Sequence, residues 1–372
     1  MEKDLTTGSV LKNIVFFSLP YLLSYFLQTL YGMADLFIIG QFDSVASITA
    51  VSVGSQVMHM LTVMIVGLAM GATVTIGKAV GGKQMDQASL AVGNTATLFM
   101  GVAGTVMIVL LLLVKPIVAV MSTPAAAVSG TITYLTICFI GIPFITAYNI
   151  ISSIFRGLGD SKSPMYFIIV ACGANILLDY LFIGGLHMGA AGAALGTTLS
   201  QTISVIVALY AIRKKQTGIR LQKSDFKLHG TTMGQILQIG IPVALQDGFI
   251  QIAFIVITII ANRRGLNEAA AVGIVEKIIG VVFLVPSTML STVSAGIHFS
   301  FSGYFCAYGL SAISFIHNVL SILCVRIPGA YLASVYYPNT LYPMGLAAPG
   351  GSLLSVLICV IAFVVMKKRR HV

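Results

Sequence analysis

Charge is what this sequence has least of. Of its 372 residues, 9% are charged and 57% are hydrophobic, whereas an ordinary soluble domain carries about 25% charged residues. That scarcity excludes a water-soluble globular fold. There is no Gly-rich phosphate loop, no helix-borne zinc motif and no nucleophile with a base at workable spacing, so nothing supports enzymatic chemistry. The five cysteines, Cys138, Cys172, Cys306, Cys324 and Cys359, lie within apolar stretches without paired or metal-ligand spacing and read as packing residues. His59, His187, His298 and His317 are scattered singly, as structural polar residues are. The period-two alternation of a membrane β-barrel is missing as well.

What is present is a succession of apolar runs, each roughly 20 residues or longer and so able to cross a bilayer as a helix. The pattern predicts an all-α, polytopic membrane helix bundle. It places helices near 13–40, 46–76, 88–113, 130–155, 163–185, 188–212, 234–262, 269–295, 311–336 and 343–366. Glu2 and Asp4 spoil the basic region that a cleavable signal peptide needs, so the first helix is expected to stay. The net charge of +10 does not point to nucleic acid. Lys3, Lys12, Lys78, Lys83, Arg156, Lys162, the stretch from Arg213 to Lys227 and the tail from Lys367 to Arg370 fall at alternate loops or termini. Only Lys115, Arg263 and Arg264 fall in the opposite set. By the positive-inside rule both termini and the loop from Arg213 to Met233 are cytoplasmic, where this basic surface meets anionic headgroups of the inner leaflet.

The two halves echo each other. Leu19-Pro20 near the start of the first helix matches Ile241-Pro242, Ala50-Val51 matches Ala271-Val272, and Gly159-Asp160-Ser161 matches Gly309-Leu310-Ser311. Parallel repeats of this kind place a substrate site between two lobes. We read a six-helix N-terminal lobe at 10–213, a linker at 214–232 and a C-terminal lobe of about four helices at 233–368. From Pro20 to Gly159 is 159 − 20 = 139 positions, but from Pro242 to Gly309 only 309 − 242 = 67, so the second lobe is short by 72, about two helices. The gap falls near Ala295 to His298.

Asp35 stands inside an otherwise almost uncharged stretch from Ile14 to Gly40. A carboxylate at membrane depth is costly and marks a functional site. Asn175 and Asp179, four apart, share one helix face. Asp35 and Asp179 each precede an outer-end glycine, Gly40 and Gly184, by five residues, which sets both roughly 7 to 8 Å inside that end. Two carboxylates brought together in a low-dielectric bundle repel when both are ionised, so such a pair takes up a proton or a Na⁺; Asp35 and Asp179 would be the ligands if the ion is Na⁺. Gln28, Asn149, Gln246, Asp247 and Gln251 are candidates to line a cavity between lobes. For each of these polar residues the alternative is a hydrogen bond that ties helices together. Pro20, Pro143, Pro242 and Pro286 fall in helices, where they permit bends.

Met33-Ala34-Asp35-Leu36-Phe37-Ile38-Ile39-Gly40, Phe155-Arg156-Gly157-Leu158-Gly159-Asp160, the stretches 175–179 and 189–194, and Arg326-Ile327-Pro328 together resemble the multidrug and toxic compound extrusion (MATE) family of cation-coupled antiporters. The resemblance implies twelve helices in two lobes, of which this chain would lack the ninth and most of the tenth. It implies export of amphipathic, often cationic organic compounds by alternating access, coupled to H⁺ or Na⁺ and without other cofactor. It also implies that Asp35, Asn175 and Asp179 bind the coupling cation beside Tyr134 and Thr197, and that Pro20 is a hinge. A monomer in the lipid bilayer, without nucleic acid, is expected. Two other readings stay open: an inactive deletion variant of such a transporter, and a lipid-linked saccharide flippase of the same superfamily, which would carry more buried Arg or Lys.

Overall fold

The structure is a computed structural model that describes residues 10–214, 221–282, 301–305, 310–336 and 347–369. Among these, long helices dominate and no strand occurs. In chain order they are α1 (Val10–Phe42), α2 (Val45–Gly81), α3 (Met85–Val120), α4 (Val128–Ile140), α5 (Ile142–Gly157), α6 (Lys162–Asp179), α7 (Gly189–Lys214), α8 (Gly230–Arg264), α9 (Leu266–Val282), α10 (Ser311–Ser321), α11 (Ile327–Tyr336) and α12 (Ala347–Arg369). Eight helical segments among the described residues are long and apolar enough to cross a membrane, or nine if the bent pair α4–α5 counts as one span.

The spans expected from sequence are met closely, with one correction. The stretch 130–155 is not one continuous helix. It breaks at Gly141, and α4 and α5 diverge by 50°, because Pro143 in the first turn of α5 cannot donate to the preceding turn. Pro20 and Pro242, by contrast, lie inside the unbroken α1 and α8. Pro286, Cys306 and the gap read near Ala295 to His298 lie outside the described residues. So does the later part of the helix expected at 269–295. Cys138, Cys172 and Cys359 are buried, as packing residues should be, whereas Cys324 is exposed.

Local signals set the short connections. Ser44 caps α2, its hydroxyl accepting from the Ser47 N–H at 3.4 Å, and Asp160 accepts from the N–H groups of Lys162 and Ser163 at 3.0 Å each to start α6. Gly159 adopts φ +87°, a left-handed conformation that costs glycine nothing and lets α5 turn into α6.

Along one seam, α2 packs against α8 almost without side chains. A Cβ at Gly71 would run into the Ile236 carbonyl, one at Gly240 into the Leu68 carbonyl, and one at Gly67 into the Ala244 backbone. Small residues let helices approach this closely where lipid offers no hydrophobic driving force. Further contacts join the halves at the end that carries Ser122 and Arg263. The Asn262 amide donates to the Met121 carbonyl at 2.7 Å, Arg263 Nε to Ser122 Oγ at 3.3 Å, and Thr49 Oγ1 to the Leu266 carbonyl at 3.2 Å.

Candidate cation-coupling site

Four helices of the first half bring their rare polar groups to one place. α1 supplies Asp35, which is buried; α6 supplies Asn175 and Asp179, both with no exposed surface; α4 supplies Tyr134, buried as well. Thr197 of α7 is half-buried, and its hydroxyl donates to Asp35 Oδ2 at 3.3 Å and to the Ala193 carbonyl at 3.0 Å. Gly196 and Thr197, adjacent on α7, touch Asp179 and Asp35 respectively, so two acids 144 positions apart in the chain, 179 − 35, are buried against the same turn of one helix. Tyr134 lies within the electrostatic reach of both. Neither amide atom of Asn175 has a hydrogen-bond partner among the described residues, a costly arrangement for a buried amide unless something else meets it.

Backbone geometry makes the room. Gly196 of α7 faces the Asp179 carboxylate, and a Cβ there would collide with it. Gly54 of α2 similarly accepts the Tyr134 ring. Directly after Asp179 the helix loosens into a π turn over Tyr180–Gly185, the kind of distortion that accompanies functional sites.

Several further members of this pocket carry no charge to mark them in the sequence. Tyr31, one turn before Asp35 on α1, meets the Gln201 side chain and senses the Asp35 charge; Gln201 is itself buried. Cys138, buried one turn after Tyr134 on α4, lies beside the Tyr134 side chain. The signal was helical spacing: Tyr31 is four before Asp35, Gln201 four after Thr197, and Cys138 four after Tyr134.

The residues proposed for a cavity between lobes are not gathered in this way. The Asn149 amide donates to the Ile145 carbonyl of its own helix at 2.8 Å. Gln28 is half-buried on α1, and Gln246 is buried on α8, where its Oε1 has no partner among the described residues. Asp247 and Gln251 are half-buried one turn apart on α8. Asp247 follows Val243 and Ala244, which touch α2 at Gly67, by one turn, so it lies on the side of α8 that faces the first half.

Comparisons with known proteins agree with this architecture. The family model MatE matches residues 20–181. The probable multidrug resistance protein YpnP of Bacillus subtilis is 33% identical over 289 residues, covering 76% of this chain and 63% of that protein. The multidrug export protein MepA of Staphylococcus aureus is 24% identical over 272 residues, 73% of this chain and 60% of its own length. The chain thus spans about three-fifths of the length of these curated relatives. A solved structure of MATE in the straight conformation superposes with a TM-score of 0.80 at 21% identity, covering 99% of each chain. An inward-facing multidrug resistance MATE family transporter superposes with a TM-score of 0.77 at 20% identity, covering 92% and 96%.

Proposed function

Because the chain belongs to the MatE family through its first lobe, we propose that it is a multi-pass membrane antiporter exporting small amphipathic, often cationic organic compounds. The coupling ion, H⁺ or Na⁺, is captured by Asp35 and Asp179 with Asn175, Tyr134 and Thr197 around them. The observation that carries this reading is the burial of two carboxyl groups from separate spans against adjacent residues of α7, beside an amide without partners among the described residues. One charge in such a pair is tolerable and two are not, so the pair gains most by holding a single positive ion between them. Its donors are oxygens, which suit a proton or a hard cation, and no group of three or more His, Cys, Asp or Glu side chains positioned to hold a metal ion occurs among the described residues.

Exchange follows if the ion and the organic cargo favour opposite conformations of the two lobes, because a ligand that binds both states equally shifts nothing. The basic ends of the bundle face the cytoplasm by their charge, and cargo is collected there between the lobes. The half-buried Asp247 and Gln251 of α8 supply polar contacts for it, with Gln28, Asn149 and Gln246 as further lining and Pro20 as the hinge of α1.

The test is transport into proteoliposomes under an imposed pH or Na⁺ gradient. Asp35→Asn and Asp179→Asn are each expected to abolish gradient-driven transport while inserting normally. Wild-type rates in both variants would refute the assignment.

A further inference from the structure

Residues 222–229, between α7 and α8, are held firmly against α3. The Gln222 N–H donates to Asp225 Oδ2 at 2.8 Å and the Lys227 N–H to the Ser224 carbonyl at 3.1 Å, closing a short 3₁₀ turn over Lys223–Phe226. The buried Asn94 side chain of α3 donates to the Asp225 carbonyl at 3.0 Å and accepts from the His229 N–H at 2.8 Å, while Thr97 donates to the Phe226 carbonyl at 3.0 Å. The missing Cβ of Gly93 lets the Asp225 backbone lie directly on the helix. Lys223 and Lys227 therefore project from a fixed platform, and Leu221, Phe226 and Leu228 stand exposed on it.

Helix length places this platform. From Thr97 to Lys115 is 115 − 97 = 18 residues of α3, roughly 27 Å of rise, close to the ~30 Å hydrocarbon thickness of a bilayer. With Lys115 at one interface, Thr97 and the platform lie at the other, on the basic side. Beside the platform, and running from Thr97 into the acyl region, is a groove of about 500 Å³ between α3 and the start of α8. Leu98, Gly101, Val102 and Thr105 form its floor, and Leu228 and Met233 its wall. Nothing comes within 4 Å of where a Cβ on Gly101 would stand, so the groove is open along its floor.

We propose that this groove binds one anionic diacyl phospholipid from the leaflet on the basic side of the membrane. An acyl chain lies along the α3 floor against Leu228 and Met233, and the phosphate is met by Lys223 and Lys227. Charge complementarity selects this occupant. Lys223 and Lys227 outweigh the single Asp225 carboxylate, which is turned to the Gln222 N–H, so the platform carries net positive charge. A neutral lipid leaves the two lysines unanswered, a free phosphate leaves the apolar floor unfilled, and a second copy of the chain brings its own Lys223 and Lys227 to the same level. The inference does not depend on the transport reading.

The experiment is native mass spectrometry of the full chain, extracted from vesicles of equimolar phosphatidylglycerol and phosphatidylethanolamine. Wild type is expected to retain one phosphatidylglycerol with a preference of about tenfold or more, since each lysine near a membrane surface contributes a factor of about five. Lys223→Gln with Lys227→Gln should bring the preference close to one. Gly101→Leu, which fills the groove without meeting protein, should lose the retained lipid; Thr105→Leu fills it from the next turn and serves if Gly101→Leu is not monodisperse. Equal retention of both lipids by wild type, a dimer mass in place of a lipid, or retention undiminished in both filled variants would overturn the proposal.

Discussion

Thr197 shows how much one hydroxyl is asked to do. Its bond to Asp35 Oδ2 is made to the carboxyl group proposed to hold the coupling ion, and hydrogen bonds to charged groups contribute about 1.5–3 kcal/mol. Thr197→Val should therefore weaken apparent affinity for the coupling ion by about tenfold or more, and Thr197→Ser should restore it, as read from the ion dependence of transport in proteoliposomes. Gly196 makes a second case. Gly196→Ala puts a methyl against the Asp179 carboxylate, and overpacking of this kind costs about 1–3 kcal/mol. Ion binding measured by calorimetry should drop while helix content by circular dichroism stays unchanged. Asp35, Asn175 and Asp179 were legible in the sequence because a carboxylate or amide in an apolar run has few structural excuses. Gly196 and Gly54 were not, since a glycine among so many others gives no sign of what it makes room for. Tyr31 and Gln201 were hidden for a different reason: neither carries a charge to single it out, and only the fold discloses that they meet.

At the scale of elements, spans could be read directly from apolar length, and their ends from Ser44, Asp160 and the basic loops. The break at Gly141 is harder to read, because Pro143 has the same sequence signature as Pro20 and Pro242, which sit in unbroken helices. A proline bends a helix only when its neighbours re-satisfy the freed backbone groups in the bent form, and that is decided by packing. The connection between the halves was expected as a loop from Arg213 to Met233, yet α7 runs to Lys214, α8 begins at Gly230, and much of the rest is strapped to α3. Asn94→Leu removes both the donor to Asp225 and the acceptor for His229, leaving two backbone groups unpaired at about 1–3 kcal/mol each. Hydrogen exchange across 222–229 should quicken in that variant, with no matching change in α1 or α6.

For the whole molecule, α2 joins the halves by packing against α8 and α9, and the similarity to a solved MATE structure supports the fold at a TM-score of 0.80. The ties at the Arg263 end, from Asn262, Arg263 and Thr49, must part if the lobes rock. Ser122→Cys with Arg263→Cys in a background free of other thiols should be bridged across this end by a short bis-methanethiosulfonate reagent, which spans the reach of the lost arginine, and stop transport, and reduction should bring it back. A crosslinked chain that still transports would show that the lobes do not separate there.

The glycine seam between α2 and α8 decides which way such rocking goes. Backbone resting on backbone has no rotamers to exchange and no gap to close, so these two helices can roll on each other but hardly part. They act like the spine of a book, and the displacement of each lobe grows with its distance from that line. If the halves rock as proposed, the opening that admits cargo lies away from this line and not along it.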